Sequence, residues 1–291
     1  SAFDVDEYVQ KTDKQRYERL SSFQFSVEEF YKLSLYSKKL GLDYVVTPFD
    51  IETAKNIYDF VDIFKIASGD NNFFPLIDIV SSFEKPLIVS TGLLHLSEIE
   101  TLEKRIFQIR DMLEIPRNLC FLHCGCSYPV GPDETNLNVI STMKNALDSV
   151  IGFSDHTIGN EASLASIALG INVIEKHFTL SKNYSEFRDH ALSADPSQFK
   201  ELVESACKTS RMLGSYTKEP TAAEIKNLNT VRRSIVASQD LEAGTVLELP
   251  HLKWVRAGGI GLPPGQEKQL LGKRLTIVKN TGDCICLADV S

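Results

Sequence analysis

The sequence predicts an α/β fold in which parallel strands curl into a (β/α)8 barrel of the TIM type. Short apolar runs alternate with capped helical segments, a pattern that indicates βα units joined by right-handed crossovers. Polar residues follow six of these runs, and parallel barrels place their active sites at the carboxyl ends of all their strands. An open doubly wound sheet would concentrate polar residues at one switch point, and the sequence lacks the glycine signatures of nucleotide-binding folds.

Six short apolar runs are the strand candidates, as expected for parallel strands that are covered on both faces. They occupy residues 42–46, 62–64, 86–89, 120–122, 150–153 and 173–174. The polar segments that follow them begin at Thr47, Lys65, Ser90, His123, Ser154 and Glu175. Because parallel strands end at a common rim, we expect these segments to lie together.

Capping signals mark the helices that accompany the strands. Ser26 opens a capping box, with a glutamate three residues later, and predicts the start of a helix. We expect Ser97 to cap a helix over residues 98–109. Asp195 is expected to cap another helix whose first residue is Pro196, a favoured position for proline.

Six strands are two short of a closed barrel, and an unclosed barrel leaves strand edges exposed. The residues before Tyr44 are polar, have a helical pattern and contain no clear strand candidate. The sequence also begins with Ser1 and Ala2 rather than with methionine. We therefore expect either that the first two βα units are missing from this chain or that the protein is naturally shortened.

A second domain is expected after Gly214. We assign residues 1–214 to the partial barrel, 215–229 to a linker with a short helix, and 230–291 to a small β-rich domain. Its strands are expected at residues 234–237, 245–247, 275–278 and 284–287. A module of roughly 60 residues is only marginally stable alone, so we expect it to pack on the barrel or on a partner chain.

The composition narrows the classes of function. A net charge of −8 argues against a nucleic-acid partner. No apolar run approaches the ~20 residues that a membrane span needs, and no signal peptide is visible, so we expect a cytoplasmic protein without a membrane partner. Four of the six cysteines lie in two Cys-x-Cys pairs, a poor arrangement for local disulfides, and we expect reduced thiols.

Two histidines at neighbouring strand ends are the strongest chemical signal. His156 and His177 each follow an apolar strand candidate. Neutral imidazole is the commonest protein ligand of catalytic divalent metals, and two on one rim can share an ion that keeps positions open for substrate and water. The alternative is one core and one surface histidine. We favour the metal site because the same pattern of apolar strand and polar cluster recurs along the chain.

Eight short motifs follow one another in a fixed order from about residue 20 to the C-terminus. They are Thr47-Pro48-Phe49-Asp50, Phe64-Lys65-Ile66-Ala67-Ser68, Ser90-Thr91-Gly92, His123-Cys124 with Tyr128-Pro129, Ser154-Asp155-His156-Thr157, Glu175-Lys176-His177-Phe178, Asp189-His190 and Arg232-Arg233-Ser234. In order and spacing they resemble the sialic acid synthase family, which condenses phosphoenolpyruvate with an aminosugar to give N-acetylneuraminate and related nonulosonic acids. The C-terminal domain resembles the antifreeze-like (SAF) domain of these synthases.

The resemblance implies a phosphoenolpyruvate site. Lys65 would supply the positive charge that this anion needs. Hydroxyl groups would come from Thr47, Ser68, Ser90 and Ser154. Each serine alone is more often a strand-end or cap residue, but several beside one lysine favour an anion site.

The resemblance also implies that His156 and His177 hold a divalent ion, Mn²⁺ or Mg²⁺, that polarises the aldehyde of an open-chain N-acylated aminosugar. Glu175, a catalytic candidate together with the two histidines, and Asp189 would hydrogen-bond the hydroxyls of the sugar. The alternative for these two acids is support of His177 or a helix cap. Tyr128 would line the sugar pocket, and its alternative is simple packing.

Arg256 belongs to the C-terminal domain. The resemblance implies that this domain crosses to the partner protomer and that the arginine binds the N-acyl group of the sugar, which gives a domain-swapped homodimer. The alternative is an exposed arginine beside a glycine turn.

Departures from the family pattern leave the sugar open within the nonulosonate group. The family's N-terminal strands, with their substrate-binding residues, are absent from this sequence. Phe187-Arg188-Asp189-His190 replaces a common Gly-Pro-Asp-His, and Cys126 and Ala257 stand where other residues are usual. Two other classes of function stay open: a metal-dependent barrel aldolase or other phosphoenolpyruvate-using synthase, and a non-catalytic carbohydrate-binding protein.

Overall fold

The computed structural model describes residue 11 and residues 13–184, 188–258 and 261–291. The chain divides into two compact units, Ser1–Gly214 and Ser215–Ser291, and each has a hydrophobic core of its own. Within the described residues, no helix is both long enough and apolar enough to cross a bilayer.

Strands and helices alternate along the first unit. Its strands are β1 (Val45–Val46), β2 (Ile63–Ile66), β3 (Leu87–Ser90), β4 (Leu119–Cys124), β5 (Val150–Asp155) and β6 (Val173–Lys176). Its α-helices are α1 (Lys14–Ser21), α2 (Val27–Lys39), α3 (Ile51–Ile57), α4 (Phe74–Ser81), α5 (Leu96–Met112), α6 (Val139–Ala146), α7 (Glu161–Ala168), α8 (Arg188–Leu192) and α9 (Pro196–Leu213). Short 3-10 helices span Ser68–Asp70 and Pro132–Glu134.

The six strands are all parallel and lie side by side in sequence order from β1 to β6. A doubly wound sheet reverses its strand order at a switch point, and this order contains no reversal. The predicted α/β fold with six parallel strands is therefore confirmed, and the described residues form half of a barrel rather than a closed one.

The sheet is curved, because side chains from distant strands meet on one of its faces. Lys65 Nζ on β2 lies 3.4 Å from Glu175 Oε2 on β6. In a flat sheet these strands would be four spacings, or about 19 Å, apart, too far for the two side chains to meet. The face that carries both residues is therefore concave, and we call it the inner face.

Side chains alternate between the inner face and the helices, as the two-residue period of a strand requires. One alternate set packs in a buried cluster with residues of the surrounding helices: Phe64, Ile66, Leu87, Val89, Leu119, Phe121, Ile151 and Phe153. The positions between them are polar or small on several strands: Lys65, Ser90, Cys120, Cys124, Gly152, Ser154 and Glu175. The hydrophobic core thus lies between the sheet and the helices, and the inner face carries the polar side chains of the candidate site.

Two of the predicted helix starts are confirmed. Ser26 and Glu29 form a complete capping box at the start of α2, in which each side chain bonds the other residue's backbone N–H. Asp195 caps α9, and Pro196 is the first residue of that helix. Both caps satisfy N–H groups that have no partner within the helix.

The cap predicted at Ser97 is wrong. The N-cap of α5 is His95, and the helix begins at Leu96. The reason is Glu98, whose Oε2 accepts a hydrogen bond of 2.7 Å from the backbone N–H of His95. A glutamate three residues into the helix fixes the cap position, and the identity of the cap residue matters less.

Several polar residues that were predicted to follow strands lie inside them. Lys65, Ser90, Ser154 and Glu175 are part of β2, β3, β5 and β6, respectively. The ladder between strands uses only backbone N–H and C=O groups, so a polar side chain on the inner face does not end a strand. Thr47 does follow its strand, as predicted.

The second unit has its own small core. It contains α10 (Ala222–Val231), an antiparallel pair of strands β7 (Ser234–Ala237) and β8 (Leu252–Val255), and 3-10 helices at Leu249–His251, Glu267–Gln269 and Leu287–Asp289. The buried side chains of this unit form one cluster: Ile235, Ala237, Leu241, Leu247, Leu252, Leu270, Leu275 and Ile285.

The strands predicted in the second unit are mostly reduced to single bridges. The strand at residues 234–237 is present as β7, but residues 245–247, 275–278 and 284–287 contribute only isolated pairs. Gly244 and Gly282 have φ angles of 89° and 92° and turn the chain sharply before a ladder can extend. Strand β8 was not predicted.

Candidate active site

The carboxyl ends of β2 to β6 bring most of the predicted residues of the first unit together. The side chains of Lys65, Ser154 and Glu175 meet directly on the inner face. The two histidines lie just beyond the ends of β5 and β6. Side chains two residues apart along a strand lie on the same face of the sheet. Ser154 and His156 therefore lie on one face at the end of β5, and their neighbours Glu175 and His177 lie on that same face at the end of β6.

His156 and His177 are neighbours in space. Their ring centres are 5.1 Å apart and the rings are inclined at 72°. Two imidazoles that share an ion, each with a nitrogen about 2.1 Å from it, have centres at most about 6.5 Å apart. The spacing of the two rings therefore fits a shared divalent ion.

The hydrogen bonding of His156 determines which of its nitrogens can bind a metal. Its Nδ1 lies 2.7 Å from the carbonyl oxygen of Gly125. A carbonyl only accepts, so Nδ1 carries the proton in the neutral ring and Nε2 keeps a lone pair. The ring of Tyr128 stacks on His156 with 4.4 Å between ring centres, which holds the plane of the imidazole.

Burial favours the neutral form of both imidazoles, which is the form that binds a metal. Burial lowers the pKa of His156 from its ordinary value, against the opposing effect of the bond to Gly125. Burial likewise lowers the pKa of His177, although the carboxylates of Asp189 and Glu175 oppose it. A lowered pKa keeps each ring neutral near pH 7 and ready to act as a ligand.

Within the described part of the chain, His156 and His177 are the two clear candidate ligands. Among the described residues there is no group of three or more His, Cys, Asp and Glu side chains placed to hold a metal ion. A shared ion would therefore keep most of its coordination positions for substrate and water, as catalytic rather than structural sites do.

Glu175 links the lysine to the serine of the next strand. Its Oε2 lies 3.4 Å from Lys65 Nζ, and its Oε1 accepts a hydrogen bond of 2.7 Å from Ser154 Oγ. Lys65 is mostly buried, with 12% of its side chain exposed, so its charge acts in a poorly screened environment. The three side chains form one polar cluster at the centre of the inner face.

Ser68 connects the end of β2 to the turn after β3, and Ser90 lies at the end of β3. Ser68 Oγ accepts a hydrogen bond of 3.1 Å from the backbone N–H of Gly92. The hydroxyl of Ser90 is buried and has no hydrogen-bond partner among the described residues. Buried hydroxyls are nearly always bonded, so Ser90 is a candidate donor to a ligand.

Gly92 lies where three strand ends meet. A Cβ at this position would clash with Cys126 Sγ from the β4 loop and with Ser68 Oγ from the β2 end. Glycine therefore permits a close approach of the backbone, which is the same property that anion-binding turns exploit.

The remaining predicted residues of the first unit are at or near this rim. Tyr128 contacts both histidine rings, with centres 4.4 Å from His156 and 5.8 Å from His177. Asp189 lies on α8, close enough to His177 to influence its pKa. Thr47 follows β1 and is half-buried, without a described contact to the other site residues. Phe187, part of the motif that departs from the family pattern, lies outside the described residues.

Arg256 lies in the second unit. It is exposed, follows β8, and its Nε donates a hydrogen bond of 2.9 Å to the carbonyl oxygen of Val231 at the end of α10. This bond lies within the second unit, and the predicted role of Arg256 with the sugar stays a prediction.

Three residues that support the site were not predicted. Asn71 is buried, and its amide donates to the carbonyl oxygens of Ser90 and Gly92 at 3.2 and 2.8 Å. Asp155 and Lys176 form an ion pair of 2.9 Å on the helix-facing side of β5 and β6. A signal for the pair was present, because an acid and a base directly precede the two histidines on adjacent strand candidates.

The first unit is thus a parallel half-barrel of βα units with a polar site at the ends of its strands. The chain belongs to the NeuB family, whose model matches residues 2–218. The predicted resemblance to this family of synthases is confirmed at the level of the family.

Individual relatives agree with this assignment. An N,N'-diacetyllegionaminic acid synthase of Campylobacter jejuni is 32% identical over 265 residues, which cover 91% of this chain and 78% of the relative. An N-acetylneuraminate-9-phosphate synthase of Homo sapiens is 31% identical over 264 residues, which cover 90% of this chain and 72% of the relative. The crystal structure of an N-acetylneuraminic acid synthetase from Leptospira borgpetersenii matches with a TM-score of 0.68 and 30% identity over 76% of each chain.

Proposed function

We propose that this protein condenses phosphoenolpyruvate with an open-chain N-acylated aminosugar to give a nonulosonic acid and phosphate. The observation that carries the proposal is the pair of neighbouring histidines, 5.1 Å apart, beside the cluster of Lys65, Ser154 and Glu175. Membership of the NeuB family and the names of its relatives support the same class of reaction.

The anion of phosphoenolpyruvate would bind on the inner face near Lys65. The ammonium group supplies the positive charge, and the hydroxyls of Ser68, Ser90 and Ser154 supply hydrogen bonds. Thr47 is a further hydroxyl at the end of β1. The backbone at Gly92 would add a close approach, since a Cβ at this position would clash with Cys126 Sγ and Ser68 Oγ.

His156 and His177 would hold a divalent ion, Mn²⁺ or Mg²⁺, which when bound supplies Lewis-acid activation of the sugar aldehyde. Tyr128 holds the ring of His156 in place, and its own face limits the space for the sugar. Glu175 and Asp189 are carboxylates that act electrostatically on His177, and they would accept hydrogen bonds from sugar hydroxyls. Carbon 3 of phosphoenolpyruvate bonds to the aldehyde carbon, water adds at carbon 2, and phosphate leaves.

The second unit would complete the sugar site. We propose that it is an antifreeze-like (SAF) domain that crosses to a second copy of the chain in a domain-swapped homodimer, where Arg256 binds the N-acyl group. Exposed apolar residues on α10, among them Ile225 and Val231, agree with a unit that packs on another surface. We also propose that two further strands close the barrel between β6 and β1, whichever chain supplies them. The site of action is proposed to be the cytoplasm.

The test is release of phosphate from phosphoenolpyruvate by the purified protein with Mn²⁺, in the presence and absence of N-acetylmannosamine and related aminosugars. We expect release that requires both sugar and metal. Turnover of an aldol substrate in the absence of phosphoenolpyruvate would favour a barrel aldolase, and condensation of phosphoenolpyruvate with an acceptor other than an aminosugar would favour another synthase. Sugar binding that needs neither metal nor phosphoenolpyruvate, with no turnover, would favour a carbohydrate-binding protein.

A further inference from the structure

A buried ion pair lies directly behind the two histidines. Asp155 and Lys176 are register partners on β5 and β6, and Lys176 Nζ lies 2.9 Å from Asp155 Oδ2. The side chains are 0% and 2% exposed, respectively. In the chain, Asp155 directly precedes His156 and Lys176 directly precedes His177.

The carboxylate of Asp155 is fully engaged. Its Oδ1 accepts hydrogen bonds of 2.8 Å from both the backbone N–H and the hydroxyl of Thr157. Its Oδ2 accepts a hydrogen bond from Ser163 on α7 as well as the contact from Lys176. A buried charge with this many partners has one preferred geometry, because any movement leaves a charged or polar group unsatisfied.

Lys176 also connects the end of β6 to the segment that follows β5. Besides Asp155, its ammonium donates a hydrogen bond of 2.7 Å to the carbonyl oxygen of Thr157. The ion pair therefore fixes the backbone on both sides of His156, at Asp155 before it and at Thr157 after it. The same lysine fixes the backbone that leads into His177.

The pair acts on the histidines through strand geometry. Successive side chains of a strand point to opposite faces, so Asp155 and Lys176 face α7 while the imidazoles face the inner rim. Contacts that fix the two strand ends on the helix-facing side also fix the backbone that carries the imidazoles on the inner side. An interaction outside the ligand site can therefore act on the separation of the two rings, in addition to the contacts of His156 with Gly125 and Tyr128.

We propose that Asp155 and Lys176 are positioning residues that set the spacing of the His156 and His177 rings and thereby the affinity of the site for a divalent ion. The inference rests on the metal site of the proposed function. Outer contacts of this kind typically contribute about 10- to 100-fold to metal affinity.

The experiment measures Mn²⁺ affinity of the full chain by calorimetry or by electron paramagnetic resonance, with stability followed in parallel by thermal unfolding. The variants are Lys176→Met, Asp155→Asn and the double variant Asp155→Asn/Lys176→Met. Each single variant leaves a buried charge without its partner, whereas the double variant removes both charges and is expected to recover much of the stability. We expect all three to bind Mn²⁺ about 10- to 100-fold more weakly than the unchanged protein.

The matched control is Glu103→Gln. Glu103 is a buried acid on α5 that accepts hydrogen bonds from the backbone and side chain of Ser149, so its loss perturbs the fold away from the histidines. We expect lower stability with unchanged Mn²⁺ affinity. If the control weakens Mn²⁺ binding as much as the double variant does, or if the double variant binds Mn²⁺ normally, the positioning role is wrong.

The unchanged protein and His156→Ala separate this inference from the proposed function. If the unchanged protein binds no Mn²⁺, or His156→Ala binds it normally, the metal site itself is wrong, and the inference fails with it. If binding is lost in His156→Ala but normal in the double variant, only the inference is wrong.

Discussion

The ammonium group of Lys65 on β2 lies 3.4 Å from Oε2 of Glu175 on β6, four strands away across the curved sheet. Each residue was assigned from the sequence to a different substrate, yet the structure pairs them. A bound phosphate would compete with Glu175 for the same positive charge. Under the proposed function, this pair would couple the phosphoenolpyruvate site to the sugar site.

Replacing Lys65 tests the anion site. Lys65→Met should weaken binding of phosphoenolpyruvate by about 10- to 100-fold, because a hydrogen-bonded charge is removed from a mostly buried position. Glu175→Gln should leave phosphoenolpyruvate binding intact or tighter, since Lys65 loses its competing partner. Calorimetric titration measures the affinity of both variants for phosphoenolpyruvate. Lys104→Met, which removes an exposed positive charge on α5, is the control for lost charge. Equal affinity in Lys65→Met and Lys104→Met would contradict the assignment.

Removing either histidine tests the metal site. His156→Ala and His177→Ala should each weaken Mn²⁺ binding by more than about 100-fold, since one of the two proposed protein ligands is lost. Both should also lose metal-dependent phosphate release while the far-UV circular dichroism spectrum stays unchanged. His95→Ala, which removes an exposed imidazole at the cap of α5, is the matched control. Full activity in both site variants would rule out this metal assignment.

Gly92 and Gly69 provide a matched pair of glycines near the anion site. A methyl group at Gly92 would clash with Cys126 and Ser68, whereas at Gly69 nothing lies within 4 Å. Gly92→Ala should lower kcat/KM for phosphoenolpyruvate by about 100-fold through displaced strand ends. Gly69→Ala should change it little. Steady-state kinetics distinguish the two, and identical behaviour would show that the close approach at Gly92 is unimportant.

The cysteines should differ sharply in reactivity. Burial, with a smaller effect of the Glu175 charge, raises the pKa of Cys120 to about 12. At pH 8 only about one Cys120 thiol in 10⁴ is then ionised, and the thiolate is the reactive form. Iodoacetamide followed by mass spectrometry should label exposed Cys126 and Cys207 first. Urea should abolish the difference, and rapid labelling of Cys120 in the folded protein would contradict its burial.

Arg256 separates a sugar-binding role from a structural one. Arg256→Ala should raise KM for the aminosugar by about 10-fold or more, with little change in KM for phosphoenolpyruvate. Lys253→Ala, an exposed cation on β8, is the control. A proportional rise of both KM values would instead indicate that Arg256 serves the fold, through its bond to Val231.

Much of the fold follows from local patterns. The caps at Ser26 and Asp195 were predicted because a cap involves residues only three apart in the chain. The six strands were predicted from their apolar runs, although their ends were not. Residues such as Lys65 and Glu175 extend the strands because only the backbone forms the ladder. The cap at His95 was missed because Glu98, not the cap residue, determines the start of α5.

The sequence by itself determined the class of fold, the order of the strands and the two histidines at the ends of β5 and β6. These features depend on side-chain period and on short spacings that can be read along one chain. Only the tertiary structure decided that Lys65 meets Glu175, that Asn71 holds the turn at Gly92, and that Asp155 and Lys176 lie together behind the histidines. Such contacts depend on the curvature and register of the sheet, which arise when distant segments pack and bury their surfaces together.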